Sequence, residues 1–172
     1  MSVLLLHLSI DLALGLTDRM TAQGDEVRWS GPEKDSAAMK TAGAYIARGD
    51  VSDDDFIMRA ALGCRTIVFG SERSAAEVAA IQKGARDAGV ERLVCVTPEL
   101  PAHLHDTLSA GPLEYVIILT GGGGWLARKK VSLAQVSEAV DAADDKAGPL
   151  HEVIDLTEDE GWRRLGLSQS ER

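Results

Sequence analysis

The least ordinary local feature of this sequence is the run Gly121-Gly122-Gly123-Gly124, followed by Trp125 and then by the cations Arg128, Lys129 and Lys130. Glycine-rich backbone can gather its N–H groups into a nest for an anion, and neighbouring cations reinforce such a nest. The four glycines are expected to form a flexible connection, the sharper alternative being a loop for a small anionic ligand. Other reactive side chains are sparse. His103 and His105 stand two apart on an expected helix and face different sides, so no metal pair is expected of them; His103 and Asp106 have the spacing to meet. Asp53, Asp54 and Asp55 read as a helix start, where carboxylates meet the positive end of the dipole, rather than as a metal site. Cys64 and Cys95 lack metal-ligand spacing and read as buried free thiols.

The elements that must position these groups follow from the pattern of apolar residues. Short apolar runs alternate with amphipathic stretches, the signature of βαβ units and a parallel sheet. Strands are expected at Ser2–His7, Glu26–Trp29, Ala44–Arg48, Thr66–Phe69, Leu93–Val96 and Tyr115–Leu119, with a short last one at Val153-Ile154. Between them, Leu12, Leu16 and Met20 recur at helical spacing, as do Val78, Ile81 and Ala85, and Leu133, Val136 and Val140. Helices are also expected at Asp35–Thr41, from an N-cap at Ser52 with Asp55 in a capping box, and after Pro101. Ser132 with Gln135 reads as a further capping box, and Trp162 is expected to pack a terminal helical turn. The fold class is α/β: a Rossmann-like, doubly wound, mostly parallel sheet in three αβα layers. One domain is expected over 1–172, with residues 166–172 as a flexible tail.

The chain has 172 residues, 45% of them hydrophobic and 26% charged, an ordinary globular balance for a single core. A net charge of −9 repels phosphate backbones and anionic lipid, and only 4% of residues are aromatic. No nucleic acid and no membrane are expected as partners. The run Val3-Leu4-Leu5-Leu6 is too short to span a bilayer and has no basic residues before it, so it reads as a strand rather than a signal peptide, and a cytoplasmic protein is expected.

Several segments carry a family likeness. They are Gln23-Gly24-Asp25-Glu26-Val27-Arg28; Ala42-Gly43-Ala44 through Arg48-Gly49-Asp50-Val51; Ala85 through Val94; Pro112-Leu113-Glu114-Tyr115; and Val131–Val140. Their order and spacing resemble the atypical short-chain dehydrogenase/reductase superfamily, especially its compact NAD(P)H-binding, NmrA-like members. The resemblance implies cofactor contacts at Asp50, which matches an acidic residue near the adenine, at Gly70, and at Thr97, which stands where an active-site Ser is common.

Against that pattern the functional motifs are missing. The family places three glycines at three-residue spacing after the first strand, where a dinucleotide pyrophosphate rests on a helix N-terminus. Counting back from Gly24 puts His7, Ile10 and Ala13 there, and His7 is expected to resist the positive φ that glycine supplies. No arginine follows the second strand at Trp29-Ser30-Gly31-Pro32. The family's acid–base pair is a Tyr with a Lys four residues on, but Gly49 follows Tyr45 at that distance and Leu119 follows Tyr115. The expectation is therefore a degenerate, non-catalytic member without a cofactor, having a binding, regulatory or accessory role as a homodimer or with a protein partner. The alternative is an NAD(P)-binding reductase or epimerase-like enzyme, or a redox sensor, with a non-standard cofactor loop.

Overall fold

The structure is a computed structural model that describes residues 2–70, 73–121, 131–146 and 150–167. Its strands are β1 (Ser2–Leu6), β2 (Glu26–Ser30), β3 (Tyr45–Ile46), β4 (Thr66–Gly70), β5 (Arg92–Thr97), β6 (Glu114–Leu119) and β7 (His151–Asp155). They form one parallel sheet in the order β3-β2-β1-β4-β5-β6-β7. The chain starts at the middle and winds outward in one direction, then returns to β4 and winds in the other. Strand order thus reverses between β1 and β4.

Continuous apolar runs suit strands that are covered on both faces. Along β1, Val3 and Leu5 enter one core while Leu4 and Leu6 enter the other. The first core receives Leu12, Leu16 and Met20 of α1 (Ile10–Ala22), Met39 of α2 (Ser36–Thr41), Val136 and Val140 of α6 (Leu133–Asp145) and Trp162 of α7 (Asp159–Arg164). The second receives Phe56 and Ile57 of α3 (Asp54–Ala61), Val78 and Ile81 of α4 (Ala75–Asp87) and Leu104 and Leu108 of α5 (Ala102–Ser109). Each fully buried Leu or Ile contributes on the order of 2 kcal/mol through the water it sheds. The expected three-layer α/β sandwich is the observed architecture.

Local starts and stops mostly follow the sequence. Ser74 with Glu77 and Ser132 with Gln135 form complete capping boxes. The start of α3 differs from expectation. Asp50 Oδ1 accepts the Ser52 N–H at 2.9 Å and its hydroxyl at 2.8 Å, so Ser52 is held in the preceding turn. Asp53 caps the helix instead, accepting the Asp55 N–H at 3.0 Å. The expected third strand shrinks to Tyr45–Ile46, since it borders only β2.

The amino-terminal edge of the sheet is closed by an ion network. Asp144, near the end of α6, accepts from the Arg65 guanidinium and the Thr66 hydroxyl. Arg92 donates to the carbonyls of Ala143 at 2.6 Å and Asp144 at 2.8 Å, and to Glu114 at 2.7 Å. Arg92 thereby satisfies carbonyls that a helix end leaves unpaired. Asp144 is 5% exposed, so removing it leaves the Thr66 hydroxyl without this acceptor and Arg65 with only the exposed Asp145. Asp144→Ala should lower unfolding free energy by about 3 kcal/mol, visible as an earlier midpoint in urea at unchanged slope.

Candidate functional site

The first turn after β1 is built on His7. Its N–H donates to the Ser30 carbonyl at 2.7 Å, which ties the turn to the end of β2. Its φ is +47°, the only left-handed backbone at a described residue other than glycine. The expectation that a side chain here would bar the glycine conformation is corrected. Histidine is among the residues that tolerate this region, and the hydrogen bond to Ser30 holds it there at a cost of about 1–2 kcal/mol. Strain of this kind concentrates where side chains are used.

Beside the imidazole lies a crevice of about 350 Å³, lined by His7, Gly49, Asp50, Val51, Arg73 and Glu77. It sits at the carboxyl edge, where β1 gives way to β4 and the strand order reverses, the usual ligand position in open α/β sheets. Gly49 is needed at its wall because a Cβ there would stand 2.1 Å from the Phe56 ring. Arg73 donates to Glu77 at 3.0 Å, and Glu77 also accepts the Ser74 N–H and hydroxyl. Those two Ser74 bonds hold the Glu77 carboxyl below its ordinary range, helped by Arg73. Ser52 does the same for Asp50. Burial lowers the His7 pKa, and the Arg73 charge lowers it further, so the ring is neutral at neutral pH. Arg73 and Glu77 thus answer each other, while Asp50, bonded to the neutral Ser52, leaves the crevice one net negative charge.

Beyond His7 the entrance to α1 is crowded. Leu8 and Leu12 are buried in the first core, and Ile10 packs against it. Asp11 places an exposed carboxylate in the first turn, and the capping position Ser9 makes no side-chain bond. At the end of β2, the turn delivers Glu33. The β2–β3 register pairs Trp29 with Ile46, and Arg48 reaches Glu33 at 2.8 Å. An arginine therefore does stand near this turn, but it comes from the far end of β3 and is already matched by a carboxylate. A search for arginine directly after the second strand passes over Arg48; parallel pairing of the two strands is the signal that finds it.

The remaining candidates are dispersed. Gly70 ends β4 beneath the His7 carbonyl, where a Cβ would stand at an ordinary 3.6 Å. Thr97 is 1% exposed, and its hydroxyl donates to the Glu99 carbonyl and accepts the Glu99 N–H at 3.3 Å. Gly121 has φ +82°, and a Cβ there would lie 2.7 Å from Thr157 Cγ2, so it is required by the turn after β7. Gly122, Gly123 and Gly124, with Trp125, Arg128, Lys129 and Lys130, lie outside the described residues. His103 meets the Arg73 carbonyl through Nε2 at 3.0 Å, not Asp106, and so links α5 to the crevice. Neither tyrosine lines the crevice. Tyr45 is exposed on the edge strand β3, while Tyr115 lies buried in β6 beside the opposite edge strand β7, bonded to His105 at 3.3 Å and stacked on His151. Burial pushes the Cys64 thiol up to about 11 and the Cys95 thiol up to about 12. Among the described residues no cluster of His, Cys, Asp and Glu could hold a metal ion, and no helix is long and apolar enough to cross a membrane.

His7 sets two expected outcomes. Its folded pKa lies below its ordinary 6.5, so the unfolded chain takes the proton first as pH falls. The stability it contributes is complete above pH 6.5 and is lost downward until the folded pKa is passed. His7→Gln should flatten the stability profile in that window, measured by denaturant titration at stepped pH. His7→Gly should fold normally, whereas His7→Val, β-branched at positive φ, should cost about 2 kcal/mol.

No protein-family profile matches the sequence, and no curated protein matches it significantly. The fold has many solved counterparts. It is similar to ChuY, an anaerobillin reductase from Escherichia coli O157:H7, at TM-score 0.69 and 15% identity over 90% of this chain and 96% of that one. A short-chain dehydrogenase/reductase from Veillonella parvula in complex with NADP superposes at TM-score 0.72 and 14% identity, over 90% and 93%. Triphenylmethane reductase from Citrobacter sp., complexed with NADP(H), superposes at 0.68 and 14%, over 91% and 70%.

Proposed function

From the premise that this chain carries the short-chain dehydrogenase/reductase fold, we propose that it is a non-catalytic binding protein with a regulatory or accessory role. Its crevice at His7, Asp50 and Arg73 takes a compact, uncharged, hydrogen-bonding ligand of the nucleoside kind. The observation that carries this reading is the composition of the crevice. It contains a neutral imidazole, and its arginine and carboxylates are already engaged with one another or with serines. The one uncompensated carboxylate, Asp50, disfavours an anionic ligand, and the site offers acceptor and donor edges to an uncharged heterocycle. Its volume of about 350 Å³ is in the range of small-ligand sites.

The diphosphate of a whole dinucleotide fits poorly beside it. Asp11 sets an exposed carboxylate in the first turn of the helix where the phosphates would rest. The absence of a tyrosine from the crevice removes the acid of hydride-transfer chemistry in this fold. A second reading, NAD(P) in an altered pose, is favoured by the left-handed backbone that His7 retains and by the NADP(H) held in the Veillonella and Citrobacter structures.

Thermal unfolding with adenosine, AMP, NADH and NADPH separates the two. A ligand at about a hundred times its Kd stabilises by about 2.7 kcal/mol. Adenosine should raise the melting temperature, Asp50→Ala should abolish that rise, and NADPH should add nothing beyond adenosine or be oxidised by no tested carbonyl substrate. A larger shift with NADPH, or turnover, establishes the second reading; silence with every nucleoside rejects the nucleoside site. If the α1 entrance is the obstacle, Ile10→Gly with Asp11→Asn should confer an NADPH shift that the wild type lacks.

A further inference from the structure

A second concave surface lies away from the crevice, at the outer edge of the sheet. It is a groove of about 740 Å³ between α2, the turn at Gly43 and Ala44, and strand β3. Ala37, Ala44, Tyr45 and Ile46 supply its apolar lining; Lys40 and Arg48 bring cations to it, and Glu33 a carboxylate. None of the residues that line it also lines the crevice at His7.

Three observations say what it fits. Tyr45 is 65% exposed, more than any other large hydrophobic side chain described, and its ring offers a flat face at the groove wall. Lys40, in the last turn of α2, makes no ion pair among the described residues, although the chain as a whole carries a charge of −9. Arg48 is paired with Glu33, but both side chains are about 70% exposed, so the pair is screened and open to exchange with another carboxylate. The groove therefore has a local excess of positive charge beside an aromatic and aliphatic wall, on an otherwise acidic surface.

We propose that this groove binds an aryl acid: an anion with a flat apolar body. The ring lies against Tyr45 and the Ala37–Ala44 wall, where offset stacking of aromatic faces is favourable. The carboxylate or sulfonate reaches Lys40 and exchanges onto Arg48 in place of Glu33. Neither part alone suffices: the ring selects against small inorganic anions, and the cations select against neutral aromatics.

The test uses the full chain and two probes of one shape, 2-naphthoate and 2-naphthalenemethanol, titrated by protein NMR. Naphthoate is expected to perturb amides of α2 and β3, and to bind at least about tenfold tighter than the alcohol, a difference equivalent to about 1.4 kcal/mol. Lys40→Glu should weaken naphthoate about tenfold and leave the alcohol unchanged, while Tyr45→Ser should weaken both. Both positions are exposed, and unchanged melting temperatures will show that the variants fold. Binding should also weaken as salt rises from about 50 to about 500 mM. Equal affinity for the two probes, or indifference to Lys40→Glu, overturns the proposal. So does sedimentation showing a dimer that Tyr45→Ser dissolves, because the groove would then be the contact between two copies of this chain.

Discussion

Burial of the central strands on both faces is the constraint from which the rest follows. Leu4, Leu5, Val68, Val94 and Ile117 are all inaccessible to water, and each lies in a parallel strand flanked by helices. Such strands can present polar chemistry only at their ends, where the ladder stops. The two ends are used differently. At the amino edge, Arg65, Arg92 and Asp144 lock α6 to β4 and β5 through charge-assisted bonds. At the carboxyl edge, the reversal between β1 and β4 leaves an opening.

What stands in that opening reflects a division between backbone and side chains. The backbone of the first turn is left-handed at His7. The side chains on that backbone set the environment. His7 adds an imidazole to the wall of the crevice, and Ile10 and Asp11 alter the helix entrance next to it. Arg73 is paired with Glu77, while Asp50 is held by the neutral Ser52 and leaves the crevice one net negative charge.

His103 shows how a peripheral element supports the site. From α5 it reaches the Arg73 carbonyl, so the position of Arg73 depends on a helix that packs in the second core. Gly49 acts on the other wall, where the Phe56 ring leaves no room for a side chain. Both are packing requirements with consequences for the crevice.

The order of elements, the parallel sheet and the faces of the helices were all legible in the sequence, because two-sided burial writes continuous apolar runs and helical burial writes a repeat of three to four residues. The capping box at Ser132 was local enough to be written there too, whereas the box expected at Ser52 gave way to a cap at Asp53. Asp50, singled out by the resemblance, lines the crevice beside His7. Tertiary structure alone decided the rest. Whether His7 could take a positive φ depended on its bond to Ser30, a residue on another strand. The meeting of Arg48 with Glu33, of His103 with Arg73, and of His7 with Asp50 and Glu77 joins residues far apart in the chain. A side chain's partner is set by how strands pair and helices pack, and no periodicity within one segment records it.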